Sequence, residues 1–144
     1  PDALAVNGED MHRIFGASKR PIKVALLDQK RIAGVGNLYA SELLHLAGIH
    51  PATMCHRITR QQWSTICEAM QTILQTAIKH EGSTLSDGTY RNALNDPGGY
   101  QNMHRVYDKE NKTCPTCHTQ TIVRIVQAQR STFFCKGCQT RASG

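Results

Sequence analysis

The stretch Pro21-Ile-Lys-Val-Ala-Leu-Leu-Asp-Gln-Lys-Arg-Ile-Ala-Gly-Val-Gly-Asn-Leu-Tyr-Ala-Ser-Glu-Leu-Leu-His-Leu-Ala-Gly48 decides how this chain folds. From Pro21 to Gln29 the apolar residues Ile22, Val24, Ala25, Leu26 and Leu27 suit a buried helix, with Pro21 tolerated in the first turn, where its N–H would be unpaired anyway. Gly34-Val35-Gly36 breaks that helix. A second follows from Asn37 to Ala47, apolar at Leu38, Leu43, Leu44 and Leu46, and Gly48 is placed to end it. The stretch therefore reads as two helices joined by a glycine-hinged double turn.

Toward the N-terminus, Gly8 and Gly16 bracket a short helix, Asp10 to Phe15. Toward the C-terminus, Trp63, Ile66, Met70, Ile73, Leu74, Ala77 and Ile78 recur at three- and four-residue steps, which predicts a helix over about Arg60 to His80 with Thr59 as its N-cap. Cys67 falls on the same stripe and reads as a buried thiol. Glu81 to Gly99 holds four glycines and Pro97 without a sustained period, the mark of a long loop.

Beyond that loop the pattern changes to alternation. Ile122, Arg124 and Val126 face one way, Val123 and Ile125 the other, and Ser131 to Cys135 supplies a return strand across Ala128-Gln129-Arg130. The hairpin is flanked by Cys114-Pro-Thr-Cys117 and Cys135-Lys-Gly-Cys138, the spacing of a tetrahedral zinc site. Four thiolates leave no open coordination position, so one structural zinc ion is expected and no metal-bound hydroxide. Cys114-Pro-Thr-Cys117-His118 also has the form of a haem attachment site, but that reading leaves Cys135 and Cys138 without a purpose.

A chain of 144 residues with 40% hydrophobic content can build one ordinary core plus a small metal-stapled knob. No apolar run reaches the roughly 20 residues that span a bilayer, and no secretory signal pattern opens the chain. The expectation is a soluble, intracellular protein whose paired cysteines hold metal rather than disulfides. Lys and Arg number 17 against 11 Asp and Glu, a net charge of +6, which four thiolates around a divalent ion would reduce to about +4. The excess lies mostly in residues 91–144, so an anionic partner would meet the C-terminal third first.

Within that charge, Arg130 stands at the hairpin tip, where a guanidinium can reach a groove or a phosphate; a solvated turn arginine fits its position equally well. Lys19, Arg20, Lys23, Lys30 and Arg31 cluster around the first helix of the pair, a pattern that is usually a solvated face. Asn37 begins the next helix, where its amide can join the N-terminal N–H groups on a phosphate or simply cap the helix.

Leu26-Leu-Asp-Gln-Lys-Arg-Ile-Ala-Gly-Val-Gly-Asn-Leu-Tyr-Ala-Ser-Glu42, Ala47-Gly-Ile-His-Pro51 and Gln129-Arg-Ser-Thr-Phe-Phe-Cys-Lys-Gly-Cys-Gln139 together resemble the second half of bacterial formamidopyrimidine-DNA glycosylases, over about Pro1 to Gln139. The resemblance implies a mostly α fold, a helix-two-turn-helix domain followed by a small β-hairpin zinc finger with four cysteine ligands. It implies division into residues 1–81, the helical DNA-binding domain, 82–106, a lesion-capping loop and linker, and 107–144, the finger. It implies the DNA-binding part of a base-excision-repair glycosylase and AP lyase for oxidised purines such as 8-oxoguanine and formamidopyrimidines. By resemblance, Asn37 binds phosphate at the lesion, Lys19 contacts DNA, Lys23 lies near the damaged nucleotide, and Arg130 contacts phosphate and donates the proton in δ-elimination.

In that family the nucleophile is an N-terminal proline followed by glutamate, on a preceding β-rich domain. Pro1-Asp2 matches the linker between the two family domains better, so this stretch is expected to hold damaged double-stranded DNA, as a monomer in the bacterial cytoplasm beside the nucleoid, and to need that domain for catalysis. The alternative from another class is a stand-alone zinc-dependent DNA-binding or scaffold module without enzymatic activity.

Overall fold

The structure, a computed structural model, describes residues 1–86 and 104–140, with side chains described outside 80–86. Four α-helices precede a two-stranded hairpin: α1 (Gly8–Phe15), α2 (Ile22–Leu26), α3 (Asn37–Ala47), α4 (Arg60–Ser86), β1 (Val123–Gln127) and β2 (Arg130–Phe134). A short 3-10 turn, Cys55–Arg57, leads into α4.

α1 starts two residues before the sequence-based expectation, because Asn7 and Asp10 form a reciprocal cap: each side chain accepts from the other's backbone N–H. α2 is shorter than expected and ends at Leu26. Past Leu26 the N–H groups of Leu27 and Asp28 bond three residues back, to the Val24 and Ala25 carbonyls, so the helix tightens and ends. The Asp28 carboxylate accepts from Lys30 N–H, while the Gln29 amide donates to the Val35 carbonyl and accepts from Gly34 N–H. These bonds form the double turn, and Gly34 supplies a φ of 108° within it.

α3 has the expected bounds and ends on Gly48, whose φ of 75° is the left-handed cap. α4 carries the expected buried stripe, with Trp63 stacked on Phe15 at 5.8 Å, but it runs six residues past His80. A single glycine at position 82 costs only about 1 kcal/mol in a helix and does not end one. Ile78, expected on the core face, is 54% exposed, one step beyond the stripe that ends at Ala77. The remainder of the Glu81 to Gly99 loop lies outside the described residues.

Among the described residues two apolar clusters result. The larger joins all four helices through Met11, Phe15, Leu26, Leu43, Leu44, Trp63, Ile66 and Met70. The smaller lies in the finger, around Val106, Ile122 and Phe133 beside Cys114 and Cys135. Cys67 is buried as expected, and burial raises its pKa; the Cys55 thiol is pushed up to about 11, chiefly by desolvation. Neither thiol is primed to react. Among the described residues no helix is long and apolar enough to cross a membrane.

Candidate metal centre and anion-binding surface

The hairpin turn holds only Ala128 and Gln129, both left-handed at φ 49° and 67°, the geometry of a type I′ connection. Arg130 is therefore the first residue of β2, paired with Gln127, rather than part of the turn. The ladder continues to Val123 opposite Phe134 and carries the chain into the second cysteine knuckle.

The four cysteines meet as their spacing requires. Sulfurs about 2.3 Å from one zinc lie about 3.8 Å apart in a tetrahedron. Here Cys114 Sγ and Cys138 Sγ are 3.7 Å apart, as are Cys117 Sγ and Cys135 Sγ, and all four lie within 4.8 Å of one another. Their acid–base chemistry asks for a cation. Cys117 is held down to about 5 by the Thr119 hydroxyl and by the backbone N–H groups of Thr119 and Gln120. Burial and neighbouring sulfurs push Cys135 up and Cys138 up to about 12. Four sulfurs this close cannot all ionise without a metal, and a divalent ion removes that conflict. One zinc ion fits this centre, and it would staple the finger without supplying an open coordination site.

α3 joins the finger to the helices through its polar side, which the sequence reading did not assign. Glu42 is 2% exposed, and its carboxylate accepts from the N–H groups of Arg105, Val106 and Tyr107 at 2.8, 2.9 and 2.8 Å. One turn on, buried His45 places Nε2 3.4 Å from Cys114 Sγ, and burial lowers the His45 pKa. From the finger, the Gln139 amide donates to the Ile49 carbonyl and accepts from Cys135 N–H. Ser41, Glu42 and His45 form one stripe at helical spacing. A polar stripe on a helix reads as solvated until a partner is known, and the only sequence signal was that the opposite side was already committed to the core.

At the other end of α3 a second cluster forms. Gly36 provides no side-chain cap and the first turn holds no acidic residue, so among the described residues nothing neutralises the positive end of the helix dipole there. Asn37 is not the cap. Its Oδ1 accepts a hydrogen bond from Lys23 Nζ, and its Nδ2 donates to the Ser131 carbonyl at 3.0 Å, leaving one amide proton without an acceptor among the described residues. Lys23 Nζ also donates to the Ser131 carbonyl, at 3.3 Å.

Lys23 departs from the solvated-face expectation. It is fully buried, and its pKa falls to about 8, first from desolvation and then from repulsion by Arg130. Arg130 is exposed beside it and makes no ion pair among the described residues. The rest of the basic cluster divides. Asp28 takes Arg20 at 3.2 Å and Arg31 at 3.9 Å, whereas Lys19 is exposed and is not drawn into the Lys23, Asn37 and Arg130 group. Arg20, Lys30 and Arg130 line an open groove of about 460 Å³ between the double turn and the hairpin. Among the described residues the Arg130 guanidinium, the buried Lys23 ammonium, the Asn37 amide and a helix start without a side-chain cap thus lie near one another, donors of the kind that hold a phosphate oxygen.

The fold and this arrangement define a helix-two-turn-helix protein with a four-cysteine finger, and comparison with known proteins is more specific. Residues 1–89 match the formamidopyrimidine-DNA glycosylase H2TH domain. The chain is 43% identical over 140 residues to the formamidopyrimidine-DNA glycosylase of Gluconobacter oxydans, covering 96% of this chain and 50% of that one. It is 50% identical over 119 residues to that of Chloroflexus aggregans, covering 83% and 42%. Among solved structures it resembles the MutM (Fpg) protein of Thermus thermophilus, with a TM-score of 0.82, 37% identity and coverage of 99% and 54%. It also resembles Lactococcus lactis Fpg complexed with abasic-site DNA, with a TM-score of 0.82, 30% identity and coverage of 98% and 51%. The chain belongs to the formamidopyrimidine-DNA glycosylase family. It spans about half the length of the curated relatives it matches.

Proposed function

We propose that this chain is the DNA-holding part of a base-excision-repair glycosylase and AP lyase that removes oxidised purines, working as a monomer in the bacterial cytoplasm. The observation that carries the reading is the Ser131 carbonyl, which ties Lys23 and Asn37 together beneath exposed Arg130 at the uncapped start of α3. A phosphate there would meet helix N–H groups, the free Asn37 amide proton and the Arg130 guanidinium, with the Lys23 charge behind them. Such a grip fixes the backbone beside a lesion while the damaged nucleotide leaves the stack.

Lactococcus lactis Fpg has been solved with DNA containing an abasic site and with DNA containing FAPY-dG, which supports damaged DNA as the partner. In this reading Arg130 also delivers the proton of δ-elimination, Lys19 contacts the DNA backbone outside the main cluster, and a β-rich catalytic domain supplies the nucleophile. In this reading residues 1–81 are the helical DNA-binding domain and residues 107–144 the finger. Segment 82–106, which begins inside α4 and lies mostly outside the described residues, is the lesion-capping loop and linker, its part up to Gly99 covering the flipped base. A stand-alone DNA-binding or scaffold module is not favoured, given the glycosylase relatives.

The test is titration of the zinc-loaded chain into a short duplex carrying a stable abasic analogue, against intact duplex, at several salt concentrations. The proposal expects affinity that falls steeply with salt and favours the analogue. Salt-independent or undetectable binding at low salt would refute the claim that this chain carries the phosphate grip.

A further inference from the structure

The metal centre has four cysteines, but a fifth side chain reaches it. His45, on the third turn of α3, is 4% exposed, and its Nε2 lies 3.4 Å from Cys114 Sγ. Its other ring nitrogen, Nδ1, is buried and has no hydrogen-bond partner among the described residues. A zinc-bound thiolate has no proton and can only accept a hydrogen bond. A neutral imidazole has one N–H and one lone pair. If the proton sat on Nδ1, the structure would bury an N–H with no acceptor and turn a lone pair toward an anionic sulfur, two losses at once. With the proton on Nε2, the sulfur gains a donor and only a lone pair is left unsatisfied, the cheaper of the two.

We propose that His45 is a positioning residue of the metal centre, donating its Nε2–H to the Cys114 thiolate and thereby making zinc retention depend on the docking of the finger against α3. The bond crosses from the helical unit to a ligand 69 residues away in the chain. It lies one turn from Glu42, which holds the backbone of Arg105, Val106 and Tyr107 on the same stripe. Undocking the finger would remove this donor from the sulfur and leave its charge less compensated. A metal ligand supported from outside in this way binds its metal more tightly, with effects of roughly 10- to 100-fold when the supporting group is lost. The inference rests on the zinc site alone and stands whatever the chain binds.

The test uses the full chain. In the cadmium-substituted protein, NMR is expected to show through-bond coupling between cadmium and the His45 Nε2 proton; an Nδ1–H tautomer, or a His45 Nε2 proton without coupling, would overturn the proposal. Two variants add an independent readout. His45→Phe keeps the ring volume without the N–H and is expected to bind zinc about 10-fold more weakly in chelator competition. Its cobalt-substituted form should show the thiolate charge-transfer band at longer wavelength, because the sulfur donates more freely to the metal. His45→Gln, which retains an N–H, should recover part of both changes. A folded His45→Phe protein with unchanged affinity and band would refute the donor role, and if that variant does not fold, the cadmium measurement on the unaltered sequence decides.

Discussion

Replacing Lys23 with methionine is expected to make the protein more stable while weakening its hold on DNA. Lys23 is fully buried, and its pKa falls from 10.5 to about 8, so at neutral pH the fold carries a charge that it disfavours. At about 1.4 kcal/mol for each tenfold change in proton affinity, a fall from 10.5 to about 8 corresponds to about 3 kcal/mol of destabilisation near pH 7. Methionine approximates the stem in volume and removes that charge, but it leaves Asn37 Oδ1 without its donor, a loss of about 1–2 kcal/mol. The Ser131 carbonyl keeps its bond from Asn37 Nδ2. The net gain near pH 7 is about 1–2 kcal/mol.

The sign of the pH dependence follows from linkage. The unfolded lysine retains its proton up to its ordinary pKa, whereas the folded one gives it up near 8, so between those values the unfolded state binds more protons and unaltered protein gains stability as pH rises. The advantage of Lys23→Met should therefore shrink by about 2 kcal/mol between about pH 7 and about pH 9.5. Denaturant titrations of the zinc-loaded proteins at both pH values read this directly, and DNA titration of the same samples reads function. A Lys23→Met protein less stable than the original near pH 7 by more than about 1 kcal/mol, or a difference that does not change with pH, would refute the reasoning. The combination of higher stability and lower affinity is what a group retained for binding rather than folding produces.

Arg130→Ala should weaken binding to an abasic-analogue duplex by about 1–3 kcal/mol without disturbing zinc content, since an exposed guanidinium without an internal ion pair is lost; an effect within error returns Arg130 to a solvated arginine. Chelating zinc should unfold the finger and remove most DNA affinity, because the small cluster around Val106, Ile122 and Phe133 cannot hold the hairpin alone, and unchanged binding after verified metal removal would contradict this. Protons compete with zinc for the sulfurs, so apparent zinc affinity should fall as pH is lowered, most clearly in a chelator competition run across acid to neutral pH. Glu42→Gln should cost about 2–3 kcal/mol, because an amide cannot replace a carboxylate accepting three backbone N–H groups; hydrogen exchange at Arg105 to Tyr107 should rise selectively, and unchanged protection there would show that the finger docks by other contacts.

The parts of the fold that could be read in the sequence are those set by local chemistry. Gly36 and Gly48 bracket α3, apolar spacing marks most of α4, and the two Cys-x-x-Cys knuckles specify the metal centre before any geometry is known. What could not be read depends on contacts between distant segments. α2 stops early where the Asp28 and Gln29 side chains fix the turn that follows, contacts that hydrophobic periodicity does not register. The turn uses Ala128 and Gln129 at positive φ, where Asn-Gly would have announced it, so local sequence puts Arg130 in the turn although it stands on the strand. Lys23 looks like one cation among five until Asn37 and Ser131 close over it from elsewhere in the chain. Glu42 and His45 look like an exposed stripe until the finger docks.

The central claim is that phosphate is held at the start of α3 by Asn37 and Arg130 with Lys23 behind them. Its most direct test is an NMR map of the isotopically labelled, zinc-loaded chain as a short abasic-analogue duplex is added. The account predicts that the Asn37 side-chain amide, the Arg130 guanidinium and the backbone N–H groups of Asn37 and Leu38 shift together in one saturable step. A duplex that binds while these resonances stay in place, with the changes confined to another surface, would contradict it.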